Sequence, residues 1–588
     1  MTRQRITRNS RGPRGAALAA CMLLLALLLL LSLGLLGISQ KENAIATNDV
    51  NIVRALYAAE AGLESGFQQL RGLVANNGGV VTDAQLATIA APTLTTESVS
   101  SRFTITLQMQ RGNPAGAPPY TTTLDSGAYR QLRATVQDYL LTSTATYAQQ
   151  NVNTTLSQVV QYGKIPLFQF GIFYGRGVDL EIFPGPAMNF AGRVHANGNI
   201  YLRPQDDLTF DSYMTAVGNI YRYHKNDPSD RGTGTARVKD ASGTYQTLNF
   251  DHTTNVGFSG NWTADQWKTQ ALTTFNGKVL DSSMGVPEIV PPVPGLFYNP
   301  SNPDVVAHQM IERGVAGDDA AMKAAKMYYQ AGLLIIDGQA KQWSGTSLVN
   351  VDLSSCASGT VGTSSFRDAR QGKPMSVRQV DIAKLNACGK MPANGVLYVS
   401  ESDTGTNDKG VKLINGNMLP SGGLTIVSDN PVYIKGDYNT NSKKPAAVMA
   451  DAVTVLSNSW VDSNGANGLN SRNATETTVN AALAIGPNKE SVVGSEAGGA
   501  SNGGAHNVIR FLENWSDINF NFAGSLVALW HSQRSQGDYK AGSGCAADSC
   551  AYYNPPNRNW SYDTSFNTSQ PPGTPYAVIM IRRQWVKL

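Results

Sequence analysis

The chain has 588 residues, of which 15% are charged and 57 are glycine, and its formal net charge is +4 at pH 7. This length exceeds what one hydrophobic core normally organises, so we expect two or more structural units. Apolar residues recur along the whole length, which excludes a disordered chain. Residues 1–15 contain five arginines and no acid, so without them the net charge is near −1, which excludes nucleic-acid binding driven by bulk charge.

The first 38 residues predict a membrane segment behind a cleaved leader. The arginines end at Arg14-Gly15, and an apolar run occupies residues 16–38, which is about long enough to span a bilayer. A secretory signal has its small residues and cleavage site after the apolar core, whereas Gly15 precedes it. We therefore expect cleavage after Gly15 and a transmembrane helix at 16–38. Because basic flanks stay cytoplasmic, the remainder is expected outside the inner membrane.

The following stretch predicts a long helix and an antiparallel sheet. Apolar residues recur at spacings of three and four up to Val74, which is typical of a helix with one apolar face. Asn76-Asn77-Gly78-Gly79 is expected to end this helix, which would be continuous with the membrane segment. Strands are then predicted at residues 101–110, 139–147, 152–162 and 167–174. Together these elements predict an α+β module over residues 39–177.

From residue 178 onward the pattern favours a β-solenoid, with a β-sandwich as the alternative. Gly198-Asn199-Ile200-Tyr201 recurs 20 residues later, and the segment around Asp429 has a looser echo 22 residues later around Asp451. Short strands with turns at such periods indicate stacked coils. We assign residues 178–588 to a β-solenoid (β-helix) domain with a C-terminal cap. Apolar strands are predicted at 333–336, 396–399, 424–427, 446–449, 481–485 and 577–586, and helices at 318–331 and 380–385.

Four of the five cysteines are candidates for disulfides. Cys21 lies in the membrane segment, and the others lie in the compartment where disulfides persist. Cys545 with Cys550 is the preferred pair because a Gly-rich loop joins them, which leaves Cys356 with Cys388 as the second pair. A zinc site is disfavoured because the spacing lacks CxxC pairs.

No catalytic set, cofactor motif or metal-ligand spacing stands out. The six histidines are scattered, and His195 is expected to be a turn residue hydrogen-bonded to the backbone. Asp179, Glu181, Asp206 and Asp207 could serve as acids of a polysaccharide-active enzyme, but all four also suit solvated turns. We expect no enzyme, no cofactor and no metal.

One cluster has the composition of a nucleic-acid contact. Tyr221-Arg222-Tyr223-His224-Lys225 interleaves aromatic and basic residues, which can stack on bases and neutralise phosphates. Tyr201 and Arg203 would lie on the preceding coil if the 20-residue period holds. The alternative is that these are ordinary solvent-facing residues of exposed strands.

Several segments resemble one family. Arg14-Gly15 followed by AALAACMLLLALLLL is similar to the N-terminus of PilX- and GspK-type minor pilins and pseudopilins, and Ala-Glu-Ala-Gly-Leu at 59–63 is similar to a motif on their helix. Residues 180–202, 423–437, 510–515 and 555–566 resemble large pilin-like proteins with an inserted β-solenoid, which include a competence pilin.

This resemblance implies a minor type IV pilin that assembles with other pilins and acts in surface recognition. It implies cleavage and methylation by prepilin peptidase at Gly15 and Ala16. Major pilins carry a glutamate at the fifth mature position, where this chain has Ala20; the absence implies a subunit at or near the filament tip. The resemblance implies an anchor in the inner membrane before assembly and a place in the pilus or on the cell surface afterwards, with capture of double-stranded DNA as one possible task. The alternatives are a membrane-anchored surface adhesin and a polysaccharide-active β-helix enzyme.

Overall fold

A computed structural model of the chain describes residues 14–77, 81–93, 103–147, 152–248, 264–296, 300–403, 405, 407–489, 501–537 and 552–588. Its first element is one helix of 63 residues, Arg14–Asn76, so the apolar segment and the amphipathic segment are continuous as predicted. All residues from 16 to 50 are exposed except the half-buried Gly37. This part is long and apolar enough to cross a membrane, with a mean hydropathy of 2.8 in its most apolar window.

The second half of the helix packs on a sheet through its small residues. Ala55, Ala59 and Leu63 are buried, whereas Ile52 is 37% exposed although its spacing predicts a place on the buried face. A Cβ atom at Gly62 would lie 2.0 Å from Oγ of Ser143 on the sheet. The contact face therefore includes small residues that allow close approach, and it departs from the predicted apolar stripe at Ile52, whereas Leu63, Leu70 and Val74 are buried as predicted.

The sheet under this helix, the N-terminal sheet, is antiparallel and includes the end of the chain. Its order is Thr104–Arg111, Arg133–Tyr147, Val152–Pro166 and Tyr576–Arg582, with Tyr120–Thr123 beside the second strand and Val586–Lys587 beside the third. The sequence analysis grouped the last strand with the cap of residues 178–588. It lies here because Val578 is buried against Val74 of the helix and Val160 of the third strand.

We expect Gly62→Val to lower the free energy of unfolding by about 1–3 kcal/mol, because the added methyl groups overpack the contact between helix and sheet. The measurement is thermal unfolding of the full-length protein in detergent micelles. Gly72→Val is the matched control on the same helix, since a Cβ there meets no atom within 4 Å. Equal melting temperatures for the two variants would contradict the close contact.

The largest sheet has 12 strands, and we call it the long sheet. Its neighbouring strands are parallel except for a terminal meander of three strands. The strand order is Val279–Leu280, Met214–Ala216, Arg193–Ala196, Phe170–Tyr174, Leu526–Ala528, Ala482–Ile485, Ala446–Ala450, Leu424–Ser428, Val396–Ser400, Leu333–Ile336, Gln339–Ser344 and Ser347–Asn350. Five of the predicted apolar strands, 333–336, 396–399, 424–427, 446–449 and 481–485, are thus observed here to within a residue at each end, whereas the predicted strand 577–586 is Tyr576–Arg582 and Val586–Lys587 in the N-terminal sheet.

The strands of the long sheet form two runs that meet at Phe170–Tyr174. The chain first adds three strands on one side, ending at Val279–Leu280. It then crosses to the far part of the sheet and returns from Leu333–Ile336 to Leu526–Ala528, which pairs with the other edge of Phe170–Tyr174. Local repeat spacing indicates which strands of one run lie side by side and carries no information about this crossing.

Four smaller sheets accompany the long sheet, and we call these five sheets together the strand stack. One is Val361–Asp368, Lys373–Asp381, Asp408–Ile414, Val432–Lys435, Val453–Leu456 and Ile509–Phe511, parallel after its first hairpin. Another is Tyr245–Thr247, Ala236–Lys239, Leu208–Phe210 and Met188–Phe190. Two parallel sheets have three strands: Ile220–Tyr221, Ile200–Leu202, Leu180–Ile182, and Thr477–Val479, Asn519–Gly524, Asn557–Tyr562. The short helices are Asp83–Leu86, Ala264–Thr273, Pro303–His308, Ala320–Ala325, Met327–Gln330 and Ile382–Ala387.

Both faces of the long sheet are buried along its central strands. Leu424–Ser428 and Ala446–Ala450 have only buried residues, which explains why these strands are continuous apolar runs instead of alternating ones. One face joins the core shared with the other sheets of the stack. Residues 286–296 and 300–331, here called the covering segment, cover the other face, where Ile311 and Met449 belong to one apolar cluster.

The helix predicted at 318–331 is two shorter helices. Ala320–Ala325 and Met327–Gln330 are separated by Lys326, whose backbone is extended. The buried Lys326 ammonium donates to the carboxylate of Asp318 at 2.9 Å and to the carbonyl oxygen of Arg313 at 3.1 Å. Residues 313–318 thus fold back against Lys326, and the helix is interrupted at this residue.

Candidate functional site

The two copies of the 20-residue repeat are stacked in register. Ile200 pairs with Ile220, and Tyr201 pairs with Tyr221 in parallel strands. The tyrosine rings lie 5.0 Å apart and are stacked, and the Tyr223 ring lies 5.0 Å from that of Tyr221. Tyr201, Tyr221 and Tyr223, here called the tyrosine cluster, therefore form one continuous aromatic surface, of which the first two rings are half-buried.

Two cations beside the tyrosine cluster form ion pairs. Arg203 contacts Asp230 at 2.7 Å, and Lys225 contacts Asp179 at 2.9 Å. The ammonium of Lys225 also lies 5.8 Å from the centre of the Tyr201 ring. The positive charge that the sequence places here is thus balanced within the protein, which weakens its attraction for phosphates.

The third cation, Arg222, is inside the stack. Its side chain is buried, and its guanidinium donates to the carbonyl oxygens of Leu202 at 2.7 Å and Leu248 at 3.2 Å. Because successive side chains of an extended chain point to opposite sides, Arg222 lies opposite Tyr221 and Tyr223. Arg222 therefore links Leu202 to Leu248, and its removal would leave buried carbonyls without a donor.

A second polar group, which the sequence analysis did not assign, lies at the edge of the long sheet. Asp429 and Asp451 follow successive strands, at the positions related by the 22-residue echo. His308, from the covering segment, contacts Asp451 through Nε2 at 3.1 Å and Glu312 through Nδ1 at 2.8 Å. Arg534 reaches Asp429 at 3.4 Å. We call these five residues the carboxylate cluster.

Asp451 is the centre of the carboxylate cluster and is fully buried. It accepts hydrogen bonds from the backbone N–H groups of Gln533, Arg534 and Ser535 at 2.6, 3.1 and 3.0 Å, and from the hydroxyl of Ser532 at 2.5 Å. One carboxylate thereby organises the whole 532–535 turn. The echo of Asp429 at Asp451 was the only sequence signal of this arrangement, because its donors lie about eighty residues further along the chain.

The carboxylate cluster holds its histidine in the charged form. Burial lowers the pKa of His308, but hydrogen bonds to Asp451 and Glu312 and the charges of both carboxylates raise it to about 9. Burial raises the pKa of Asp429 to about 6, against the opposing effect of Arg534. Ser532 donates to Asp451, and both ring nitrogens of His308 face carboxylates, so this geometry has no nucleophile paired with a general base.

Stability should fall as the pH rises from 7 to 9. The folded protein keeps the His308 proton up to a pKa of about 9, whereas an unperturbed histidine loses it near 6.5. The stabilisation from this group is full below pH 6.5 and is lost as the pH rises through 9. Between pH 7 and pH 9 the free energy of unfolding should fall by roughly 2 kcal/mol. Thermal unfolding of the wild type and His308→Gln at both pH values measures this. An equal decrease in both proteins would assign the effect to other groups.

The remaining predicted site residues lie apart from these clusters. Cys356 and Cys388 form a disulfide, whereas Cys545 and Cys550 are outside the described residues. His195 lies in a strand, buried, and contacts Thr215 and Asn197 instead of the backbone.

The four acids considered for catalysis do not converge. Glu181 is fully buried and accepts from the N–H of Asn502, whereas Asp179 and Asp207 form ion pairs with Lys225 and Arg237. Within the described ranges no group of three or more His, Cys, Asp or Glu side chains has a geometry suited to a metal ion.

Comparisons with known proteins give little further information. No protein-family model matches the sequence, and no curated protein matches it. Among solved structures, the chain is similar to the crystal structure of the competence-associated pilin ComZ from Thermus thermophilus, at 12% sequence identity over 91% of this chain and 97% of that chain. The TM-score of this superposition is 0.24, which is too low to support an argument about the fold.

Proposed function

We propose that this chain is a minor pilin of a type IV filament that works by assembly and surface recognition. The observation that carries the proposal is the single helix Arg14–Asn76, which is apolar from 16 to 38, exposed up to residue 50 apart from the half-buried Gly37, and then packs on an antiparallel sheet. An apolar helical half that no other described part of the chain covers requires a membrane or neighbouring subunits. The basic residues before Gly15 give the orientation of this helix in the inner membrane.

The same proposal assigns a role to each part of the chain. Residues 1–15 are a leader removed by prepilin peptidase, residues 16–38 span the inner membrane, and the N-terminal sheet completes the pilin module. The strand stack is a β-solenoid that displays a surface away from the membrane, supported by its parallel strands and 20-residue register. Ala20 at the fifth mature position and the bulk of the stack favour a subunit at the filament tip.

The leader supplies the experiment. In the native cell, Gly15→Leu should stop processing, so the variant should keep its leader, remain in the inner membrane and be absent from filaments sheared off the surface. Gly34→Leu is the control for processing, because a side chain at this exposed helix position meets no atom within 4 Å in the described part of the chain, and its leader should be removed normally. Surface recovery of Gly15→Leu at the wild-type level would contradict the proposal.

DNA capture is the second candidate function, and the stacked rings of the tyrosine cluster favour it. Binding of double-stranded DNA to full-length protein in micelles should then weaken with salt and fall in a Tyr201→Ala/Lys225→Gln variant. Tyr120→Ala, an exposed tyrosine on the N-terminal sheet, is the matched control. Arg222 is a poor probe because its loss would disturb the fold. Binding that is equal in all proteins, or absent at low salt, would remove this candidate.

A further inference from the structure

An open aromatic pocket lies at the end of the long sheet that contains the meander, in a different sheet from the tyrosine cluster. Its volume is about 480 Å³, within the range of small-ligand sites. Tyr328 and Tyr329 come from the covering segment, and Trp343 comes from the strand Gln339–Ser344. The other lining residues are Gly314, Val315, Ala316, Lys323, Gly345 and Thr346.

The aromatic rings of this pocket are held in place. The Trp343 ring stacks on Tyr329 at 5.4 Å and meets Tyr328 edge-on at 5.6 Å. The indole N–H donates to the carbonyl oxygen of Tyr328 at 3.1 Å, and the Tyr329 hydroxyl donates to Asp318 at 3.0 Å. All three rings are nevertheless half-buried and not covered. A ligand would therefore meet a preorganised surface and cost little ordering of side chains.

The opposite wall is also fixed. The ion pair between Lys326 and Asp318 is buried, and Lys326 donates to the carbonyl oxygen of Arg313, next to the wall residue Gly314. A Cβ atom at Gly314 would lie 2.4 Å from the Tyr329 hydroxyl, so only glycine permits this contact. The wall and the rings are thus one rigid unit.

The charge of the pocket comes from Lys323. This residue is exposed, and its ammonium lies 6.0 Å from the centre of the Tyr329 ring. Within the part of the chain that the structure describes, no carboxylate lies within ion-pair distance of Lys323, and no acid lines the pocket. Asp318, the acid next to this unit, is engaged by Lys326. One cation over an aromatic floor is suited to a ring that carries a single negative group.

We propose that this pocket binds a sugar unit of an anionic glycan. The C–H face of the sugar ring would lie on the electron-rich faces of Tyr329 and Trp343, the hydroxyl groups would meet Thr346 and the exposed backbone of the wall, and the carboxylate or sulfate would accept from Lys323. A nucleic-acid strand would need a row of cations to follow its phosphates, and the lining contains one. The proposal goes beyond the pilin role and does not depend on it.

The test uses full-length protein in detergent micelles and calorimetric titration with three probes: tetragalacturonate, a hyaluronan tetrasaccharide and a heparin-derived tetrasaccharide. We expect at least one probe to bind, and Lys323→Gln to weaken that binding by about tenfold or more, as loss of a charge-assisted hydrogen bond predicts. Trp343→Ala should weaken it as well. Lys587→Gln, an exposed lysine on the N-terminal sheet, should leave it unchanged.

Three results would overturn the proposal: no saturable binding of any probe, affinity unchanged in Lys323→Gln, or tighter binding of an oligothymidylate with the same dependence on Lys323. Lys323→Gln replaces an exposed side chain and should fold normally, so the test stands even if Trp343→Ala unfolds. Because no membrane or filament is involved, failure here would leave the pilin proposal intact, and failure of leader processing would leave this one intact.

Discussion

Asp451→Ala is expected to lower the free energy of unfolding by about 3–5 kcal/mol, the largest effect of any single substitution that we predict. Three backbone N–H groups, the Ser532 hydroxyl and the His308 imidazolium all direct hydrogen atoms at this carboxylate. Alanine would remove the acceptor of the Gln533 and Arg534 N–H groups, and it would leave the Ser532 hydroxyl and the Ser535 N–H only their contacts with each other's residue. The 532–535 turn would lose its anchor to the long sheet, and His308 would lose one of its two carboxylates.

Urea unfolding of the full-length protein in micelles, followed by tryptophan fluorescence, measures the effect, because Trp530 lies 5.7 Å from His308. Asp408→Ala is the matched control: this carboxylate forms a 3.3 Å ion pair with Lys373 at an exposed site and should cost about 1 kcal/mol or less. Similar losses in the two variants would show that the buried network contributes no more than a surface ion pair.

The Cys356→Ser/Cys388→Ser variant is expected to lose roughly 2–4 kcal/mol of stability, because the disulfide closes a long loop and restricts the unfolded chain. The two cysteines are 32 residues apart and enclose the hairpin Val361–Asp368 and Lys373–Asp381 and the helix Ile382–Ala387. Thermal unfolding with and without a reductant measures this. Cys21→Ser is the control, because this thiol is exposed on the apolar helix. A double variant as stable as the control would contradict a structural role for the disulfide.

The sequence predicted those elements whose determinants are local. The long helix follows from its apolar residues, and the strands Leu424–Ser428 and Ala446–Ala450 follow from apolar runs between turn residues. The 20-residue repeat predicted that Tyr201 would lie beside Tyr221, which is the observed register. In each case the residues that specify the element lie within it or in the neighbouring strand 20 residues away.

The features that were missed depend on distant partners. Arg222 has the composition of a surface cation, but it lies on the opposite side of the chain from Tyr221 and Tyr223, where the carbonyl oxygen of Leu248 accepts from it. Lys326 has helical neighbours, but Asp318 and the Arg313 carbonyl extend its backbone. No local pattern specifies these contacts, because the chain segments meet only after the strand stack has formed.

The aromatic pocket escaped the sequence analysis for the same reason. Tyr328 and Tyr329 stand in a run that favours a helix, and Trp343 is an isolated aromatic residue on an edge strand. These rings come to within 5.6 Å of each other only because the covering segment packs against the long sheet. The carboxylate cluster depends on the same segment, which supplies His308 and Glu312.

The central claim is that this chain is made as a prepilin, and the mass of its mature N-terminal peptide tests that claim most directly. Protein purified from native cells with an active prepilin peptidase should begin at Ala16 and carry one added methyl group on the α-amine. An N-terminus that still contains residues before Gly15, or one created by cleavage after residue 38, would contradict the account.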